Sequence, residues 1–385
     1  MRVVVDRQNP LVVEAFSEFG EVQPLLARAI TTDAVKEAEM VIVRSETRVD
    51  AELLDGSKVR FVGTATIGTD HVDLGYLKSR NIGFASAPGS NANSVAEYII
   101  AALLTLSGKK QMALAGKTLG VVGVGNVGSR VVRYARSLGM NVMQNDPPRE
   151  RASGDSQFRP LPELMDADFI TLHVPLERSG SDPTFHLFDS AVIGRMKRGS
   201  VLLNTSRGAV VDGGALNRAL AEGRLGGAVL DVWEGEPSID FDLVKRTDIA
   251  TPHIAGYSYD GKLNAVRMLY SAACTHFGRR ESWTPGALIP RPIVEEIGLS
   301  PATGVLEMNL GKVVAKCYNI LADDALLRRV ASNSVQDRGS AFSRLRAEYG
   351  VRREFFNTTV TIPASNAGLT EALRAIGFKV SVMSN

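Results

Sequence analysis

Short apolar runs, spaced by helical patterns, organise the chain. Residues 2–5, 40–43, 61–64 and 82–85 are mostly apolar runs of strand length. Such runs suit strands buried on both faces. Residues 10–19 and 72–79 instead repeat apolar positions at helical spacing. This alternation predicts a parallel α/β sheet over residues 1 to about 90. A strongly apolar helix is predicted over 94–107, with Asn93 or Ser94 as its N-cap. The pattern then restarts, with strands at 119–122, 141–143, 169–173, 201–204, 228–231 and 249–251, and helices at 162–165, 190–196 and 213–222. A long helical pattern over 258–277 is expected to return to the first sheet, which makes that domain discontinuous. Pro285, Pro290, Pro292 and Pro301 mark residues 283–301 as a linker. Beyond it lie helical patterns at 306–321 and 340–349, then strand, helix and strand at 358–362, 367–376 and 379–382.

One strand-to-helix turn stands out. Gly123, Gly125 and Gly128 follow the strand at 119–122, and Val131, Val132, Ala135 and Leu138 continue at helical spacing. G-x-G-x-x-G in this context is a dinucleotide-binding turn. Gly123 permits the tight turn, Gly125 lets a pyrophosphate approach the backbone, and Gly128 lets helix and strand pack closely. Asn126 and Val127 complete the helix start, whose N–H groups face the anion. Asp146 ends the next strand run, at the spacing of the acid that binds the adenosine ribose. Its carboxylate accepts from a 2′-hydroxyl and repels a 2′-phosphate, so the expected cofactor is NAD. Arg149 and Arg151 leave NADP as the lesser alternative.

Composition narrows the class. A net charge of +2 gives no general attraction to nucleic acid. Cys274 and Cys317 are far apart and form no metal-binding spacing, so reduced thiols and no metal are expected. The longest apolar stretch, 98–106, is too short to span a membrane. The chain opens on a strand pattern and not on a charged-then-apolar leader.

Three further polar loops follow predicted strands: residues 204–208, 231–237 and 251–257. Oxidising an alcohol needs a base for the hydroxyl proton, and His253 fits because imidazole as a group titrates near working pH. Glu236 can orient it and stabilise its charged form. Arg207 offers a planar fork for a substrate carboxylate. Each has a plain structural alternative; together, behind a dinucleotide turn, they point to catalysis. Asp231 is expected to contact the nicotinamide or its ribose, with capping of the next turn as the alternative. His71, beside Asp70 and Asp73, is the rival histidine and reads as structural, holding the 66–71 loop. Loops 44–48, 64–71 and 88–93 follow the strands of the first sheet and suit one wall of a cleft.

The glycine turn, Ser206-Arg207-Gly208, residues 231–237 and Pro252-His253-Ile254-Ala255-Gly256-Tyr257 resemble the D-isomer-specific 2-hydroxyacid dehydrogenases. The resemblance runs over nearly the whole chain. It implies an α/β fold: a Rossmann-type nucleotide domain, a flavodoxin-like substrate domain and a small C-terminal α+β dimerisation domain. The boundaries expected are 1–93 with 258–284 for substrate, 94–257 for NAD and 285–385 for dimerisation. It further implies a cytoplasmic homodimer that oxidises a small phosphorylated hydroxy acid. Arg207, Glu236 and His253 would be catalytic. NAD would lie near Asp146, Ser206, Asp231 and Gly256, and substrate near Ser45, Thr66 and Tyr257. The family often has Thr where this chain has Val174, so any contact to NAD there falls to the backbone. Arg44, Arg48 and Lys262 are the candidate cations for a substrate phosphate. The alternatives are a sister dehydrogenase with another substrate and a non-catalytic NAD sensor. For the C-terminal domain the rival to self-association is effector binding.

Overall fold

The computed structural model describes residues 1–286, 288–300, 305–364 and 366–383, so Pro301 of the linker pattern lies outside the described residues. The chain divides into two compact units, residues 1–91 with 258–290 and residues 92–257 with 291–385.

The first unit holds a five-stranded parallel sheet of β1 (Arg2–Asp6), β2 (Glu21–Leu25), β3 (Met40–Val43), β4 (Phe61–Thr64) and β5 (Gly83–Ala85). The strands are ordered β2-β1-β3-β4-β5. This is the flavodoxin-like order. Val3, Val5, Met40, Ile42 and Phe61 face one core, and Val4, Val41, Val43 and Val62 the other. That two-sided burial explains why the strands read as continuous apolar runs. Helix Tyr259–His276 supplies Val266, Leu269, Tyr270 and Ala273 to the first of these cores. In sequence, 173 residues separate β5 from this helix.

The second unit holds a six-stranded parallel sheet: β6 (Thr118–Val122), β7 (Asn141–Asn145), β8 (Phe169–Leu172), β9 (Val201–Asn204), β10 (Gly227–Leu230) and β11 (Ile249–Ala250). Its order is β11-β10-β9-β8-β6-β7, so direction of winding reverses between β6 and β8. Ligands of such sheets bind in the crevice at that reversal, beyond the carboxyl ends of the strands. The long helix Ala92–Lys110 is buried along most of its length against one face of the sheet. It begins ahead of the expected caps, and Asn93 and Ser94 fall inside its first turn. They bind Glu354 instead, through Asn93 Nδ2 at 2.8 Å and Ser94 Oγ at 2.6 Å.

Residues 291–385 pack on this same sheet. Helix Leu306–Cys317 adds Leu310, Val313 and Val314 to the core of helix Ala92–Lys110. Helices Ile320–Val330 and Val335–Ala347 add Leu327, Val330 and Phe342 to the opposite core. A three-stranded parallel sheet follows, of β12 (Glu296–Gly298), β13 (Thr359–Pro363) and β14 (Lys379–Met383). The expected helix over 306–321 is thus two helices. Tyr318 is extended, and Asn319 starts the second by accepting from the Ala322 N–H. β12 forms within the stretch read as linker.

Candidate active site

The glycine turn closes β6, at the reversal point. Gly123 has φ +84°, and a Cβ there would stand 2.6 Å from the His173 carbonyl oxygen. A Cβ on Gly128 would meet the Gly123 carbonyl oxygen at 2.0 Å. Only glycine fits either position. Gly125 differs: a Cβ there would meet nothing within 4 Å, so its backbone borders open space. Helix Gly128–Ser137 begins at Val127 with no side chain capping it. An open backbone and uncapped N–H groups suit a pyrophosphate. Asp146 accepts from the Val124 N–H at 2.8 Å and from the Arg149 N–H at 3.1 Å. The carboxylate thereby ties the end of β7 to the glycine turn and caps helix Pro147–Ser153. Arg149 donates to the Val124 carbonyl, and Arg151 pairs with Asp182, so both arginines have protein acceptors.

Val174 lies against the same turn, its Cγ1 2.8 Å from a Cβ built on Gly123. The preceding His173 binds Thr171 Oγ1 at 3.0 Å through Nε2. Burial pushes its pKa down to about 3, so it is neutral at any working pH.

The Arg–Glu–His set stands at the ends of β9, β10 and β11. Asn204 orders the first loop: its Oδ1 accepts from Ser206 Oγ at 2.8 Å, and its Nδ2 donates to the Arg207 carbonyl at 2.9 Å. A Cβ on Gly208 would meet the Trp233 carbonyl at 2.0 Å, so these two loops pack backbone to backbone. Trp233 is buried and donates from Nε1 to the Thr251 carbonyl at 2.9 Å, tying the second loop to the third. Glu236 accepts from the Trp233 N–H at 2.8 Å through one oxygen, and binds His253 Nδ1 at 2.8 Å through the other. Burial works to raise the Glu236 pKa. The His253 charge and hydrogen bond, the Trp233 N–H and the Arg346 charge outweigh it and hold the carboxyl below its ordinary range.

His253 has φ +59°, in the left-handed region that costs a non-glycine residue energy. Asp231, 1 % exposed, holds it there. Its carboxylate accepts from the Ile254 and Ala255 N–H groups at 2.8 and 2.9 Å, and from Thr251 Oγ1 at 2.6 Å. Its carbonyl accepts from the His253 N–H at 2.7 Å. These are the bonds of the turn-capping alternative for Asp231. Tyr98 extends the network through a 2.7 Å bond to Thr251 Oγ1. Gly256 and Tyr257 follow directly, and the Tyr257 N–H closes the turn on the Ile254 carbonyl at 2.8 Å.

Ser45 and Thr66 belong to the first unit, as do Arg44, Arg48 and Lys262. Arg44 is buried just past β3 and donates to Gln8 Oε1 at 2.5 Å. Arg48 is exposed and pairs with Asp50 at 2.6 Å. Thr66 Oγ1 donates to the Gly68 carbonyl at 2.9 Å and shares a 2.8 Å bond with Thr64. His71 binds Thr64 at 2.9 Å, the loop-holding role expected of it.

Tyr98, Thr251 and Asn204 escaped the sequence reading, and so did every contact from residues 346–354. A buried tyrosine in an apolar helix is a visible signal for the first. Nothing in the spacing announces the last.

A Gly-rich turn at a winding reversal, with an arginine and a carboxylate-oriented histidine on the same strand ends, defines an NAD-dependent oxidoreductase. The family model described as "D-isomer specific 2-hydroxyacid dehydrogenase, NAD binding domain" matches residues 103–255, and a domain of unknown function matches 288–377. The chain is 46% identical to the erythronate-4-phosphate dehydrogenase of Salinibacter ruber over 97% of this chain and 98% of that one. It is 44% identical to that of Chromohalobacter salexigens over 100% of both. Among solved structures, D-lactate dehydrogenase from Aquifex aeolicus, complexed with NAD and lactic acid, is similar with a TM-score of 0.61 and 28% identity. That likeness covers 72% of this chain and 96% of that one. The chain belongs to the erythronate-4-phosphate dehydrogenase family of D-isomer-specific 2-hydroxyacid dehydrogenases.

Proposed function

We propose that the protein oxidises 4-phospho-D-erythronate to 2-oxo-3-hydroxy-4-phosphobutanoate, a step toward pyridoxal 5′-phosphate. The geometric support is the 2.8 Å Glu236–His253 pair beyond the carboxyl ends of β10 and β11, in the sheet whose β6 carries the glycine turn. The substrate follows from the full-length likeness to enzymes of that name. Glu236 keeps the proton on Nδ1 of His253, which leaves Nε2 to take the proton of the substrate hydroxyl. As the imidazole becomes charged, the adjoining carboxylate stabilises it. Arg207 grips the substrate carboxylate in its fork. NAD, when bound, accepts the hydride. The glycine turn and the start of helix Gly128–Ser137 would hold its pyrophosphate, Asp146 its adenosine ribose, and Val174, Ser206, Asp231 and Gly256 its nicotinamide half. Ser45, Thr66 and Tyr257 would contact substrate. Arg44, buried where Arg48 is exposed, is the better-built of the candidate phosphate ligands.

We read the protein as a cytoplasmic homodimer joined through its C-terminal region. Val305, Met308, Leu321 and Leu326 are exposed there, and a groove runs between helices Ala92–Lys110 and Leu306–Cys317. No described helix is long and apolar enough to cross a membrane.

The test is NADH formation from 4-phospho-D-erythronate by wild type and His253→Ala, with NAD binding measured in parallel. The expected result is turnover by wild type, a loss of about 10²–10⁴ in kcat for the variant, and retained NAD binding. Full turnover by the variant would refute the acid–base assignment.

A further inference from the structure

Two arginines from the C-terminal region reach the turn that follows the candidate base. Arg352, 5 % exposed, donates from Nη2 to the Ala255 carbonyl at 2.6 Å and to the Ser94 carbonyl at 3.2 Å. Arg346, on helix Val335–Ala347, donates from Nη2 to the Tyr257 hydroxyl at 3.2 Å. Its guanidinium carbon lies 5.8 Å from the centroid of the same ring. Tyr349 meets that ring edge to face, with centroids 6.0 Å apart. Tyr257 is therefore flanked by a cation and an aromatic ring, both from the C-terminal region. Arg346 also lies close enough to Glu236 for its charge to favour the carboxylate. Stability alone gives little reason for a guanidinium here, because its Nε is buried without a hydrogen-bond partner.

We propose that Arg346 is a positioning residue of the site, fixing the Tyr257 ring and placing a positive charge beside the Glu236–His253 pair. The inference rests on the reading of Tyr257 as a substrate contact and of His253 as the base. Arg346 acts through these groups and is not itself catalytic. The other titratable and charged groups facing this neighbourhood are Asp231 at the end of β10, Tyr257 itself, Tyr349, Asp323, which accepts from the Tyr349 hydroxyl, and Arg352. The Arg346 charge favours the Glu236 carboxylate, the form that orients His253. Removing it lets the protonated, non-orienting carboxyl persist to higher pH. The C-terminal region is then a working part of the active site as well as a surface for association.

The test compares Arg346→Met and Arg346→Lys with wild type in the full-length enzyme, by kcat, both KM values and the pH profile of kcat/KM. For Arg346→Met the expected result is a tenfold or greater fall in kcat, an unchanged KM for NAD and an acid limb moved to higher pH. Arg346→Lys keeps the charge and loses the fork. It should retain the wild-type acid limb with kcat reduced, and it answers the question if the Met variant does not fold. Wild-type kcat in either folded variant would overturn the proposal, and so would a loss in Arg346→Met with an unmoved pH profile. Wild type is assayed first on 4-phospho-D-erythronate. If another D-2-hydroxy acid is the substrate, the variants are compared on that one, so the substrate reading and this proposal fail separately.

Discussion

At the scale of single residues, the site depends on backbone held where side chains would intrude. Gly208 shows this most directly. A methyl group there would overlap the Trp233 carbonyl, so Gly208→Ala must push apart the loops carrying Arg207 and Glu236. The variant should lose about 1–3 kcal/mol of stability and most of its turnover, read by denaturant melts beside the assay. Asp146→Ala removes an acceptor of the Val124 N–H as well as the proposed ribose ligand. It should raise the KM for NAD about tenfold, the scale of a charged hydrogen bond, and narrow the preference over NADP. Titration gives a third expectation. His173 is held neutral, with a folded pKa of about 3 against an ordinary 6.5. Below pH 6.5 the unfolded chain takes up this proton and the folded chain does not, so stability falls as pH drops toward 3. The Glu236 carboxyl, lowered on folding, contributes stability above its ordinary 4.5, and that contribution is lost on acidification through the lower folded value. His173→Gln should flatten the loss that begins near pH 6.5, and Glu236→Gln only the part that begins near 4.5. Equal slopes in all three proteins would contradict both assignments.

At the scale of elements, the doubly buried strands were legible because both faces demand apolar side chains. The runs at 40–43, 61–64 and 201–204 coincide with β3, β4 and β9. β2 was not legible: it is an edge strand with two of its five positions exposed and none buried, and Pro24 sits in it, which an edge tolerates. The break at Tyr318–Asn319 was hidden by apolar positions that keep helical spacing across it. Arg207, Glu236 and His253 could be picked out as a group because each lies in the loop after a strand run and the three residue types suit distinct proposed roles. What brings them together is Asn204, Trp233 and Asp231 acting through backbone groups, and such partners leave no spacing to read. Helix Ile320–Val330 has a consequence of its own. Asp324 accepts from the Ala250 N–H at 2.7 Å and pairs with Arg328, which in turn donates to the Val244 and Thr247 carbonyls. The helix thus covers the free edge of β11. Asp324→Ala should cost roughly 1–3 kcal/mol, as expected when a buried N–H loses its acceptor. A thermal melt within a degree of wild type would show the edge is held by other means.

At the scale of the whole molecule, the division of labour is between a five-stranded unit and a nucleotide unit that includes the C-terminal region. The α/β framework and the dinucleotide turn carry the family's chemistry. Residues 291–385 add packing to two cores of that unit and contacts to the turn that follows His253. Sedimentation should report a dimer that weakens when Met308 and Leu321 are replaced by Asp, with turnover lost only as far as the catalytic turn is disturbed. A monomer at all concentrations would remove the association reading of these exposed side chains. The substrate assignment pairs the proposed Arg207, Glu236 and His253 set with a phosphorylated four-carbon acid. Its most direct test is kcat/KM of the purified full-length protein with NAD for 4-phospho-D-erythronate beside 3-phospho-D-glycerate. We predict turnover of the four-carbon compound with a large preference over the three-carbon one. A preference for 3-phospho-D-glycerate would contradict the substrate assignment while leaving the Arg207–Glu236–His253 chemistry in place.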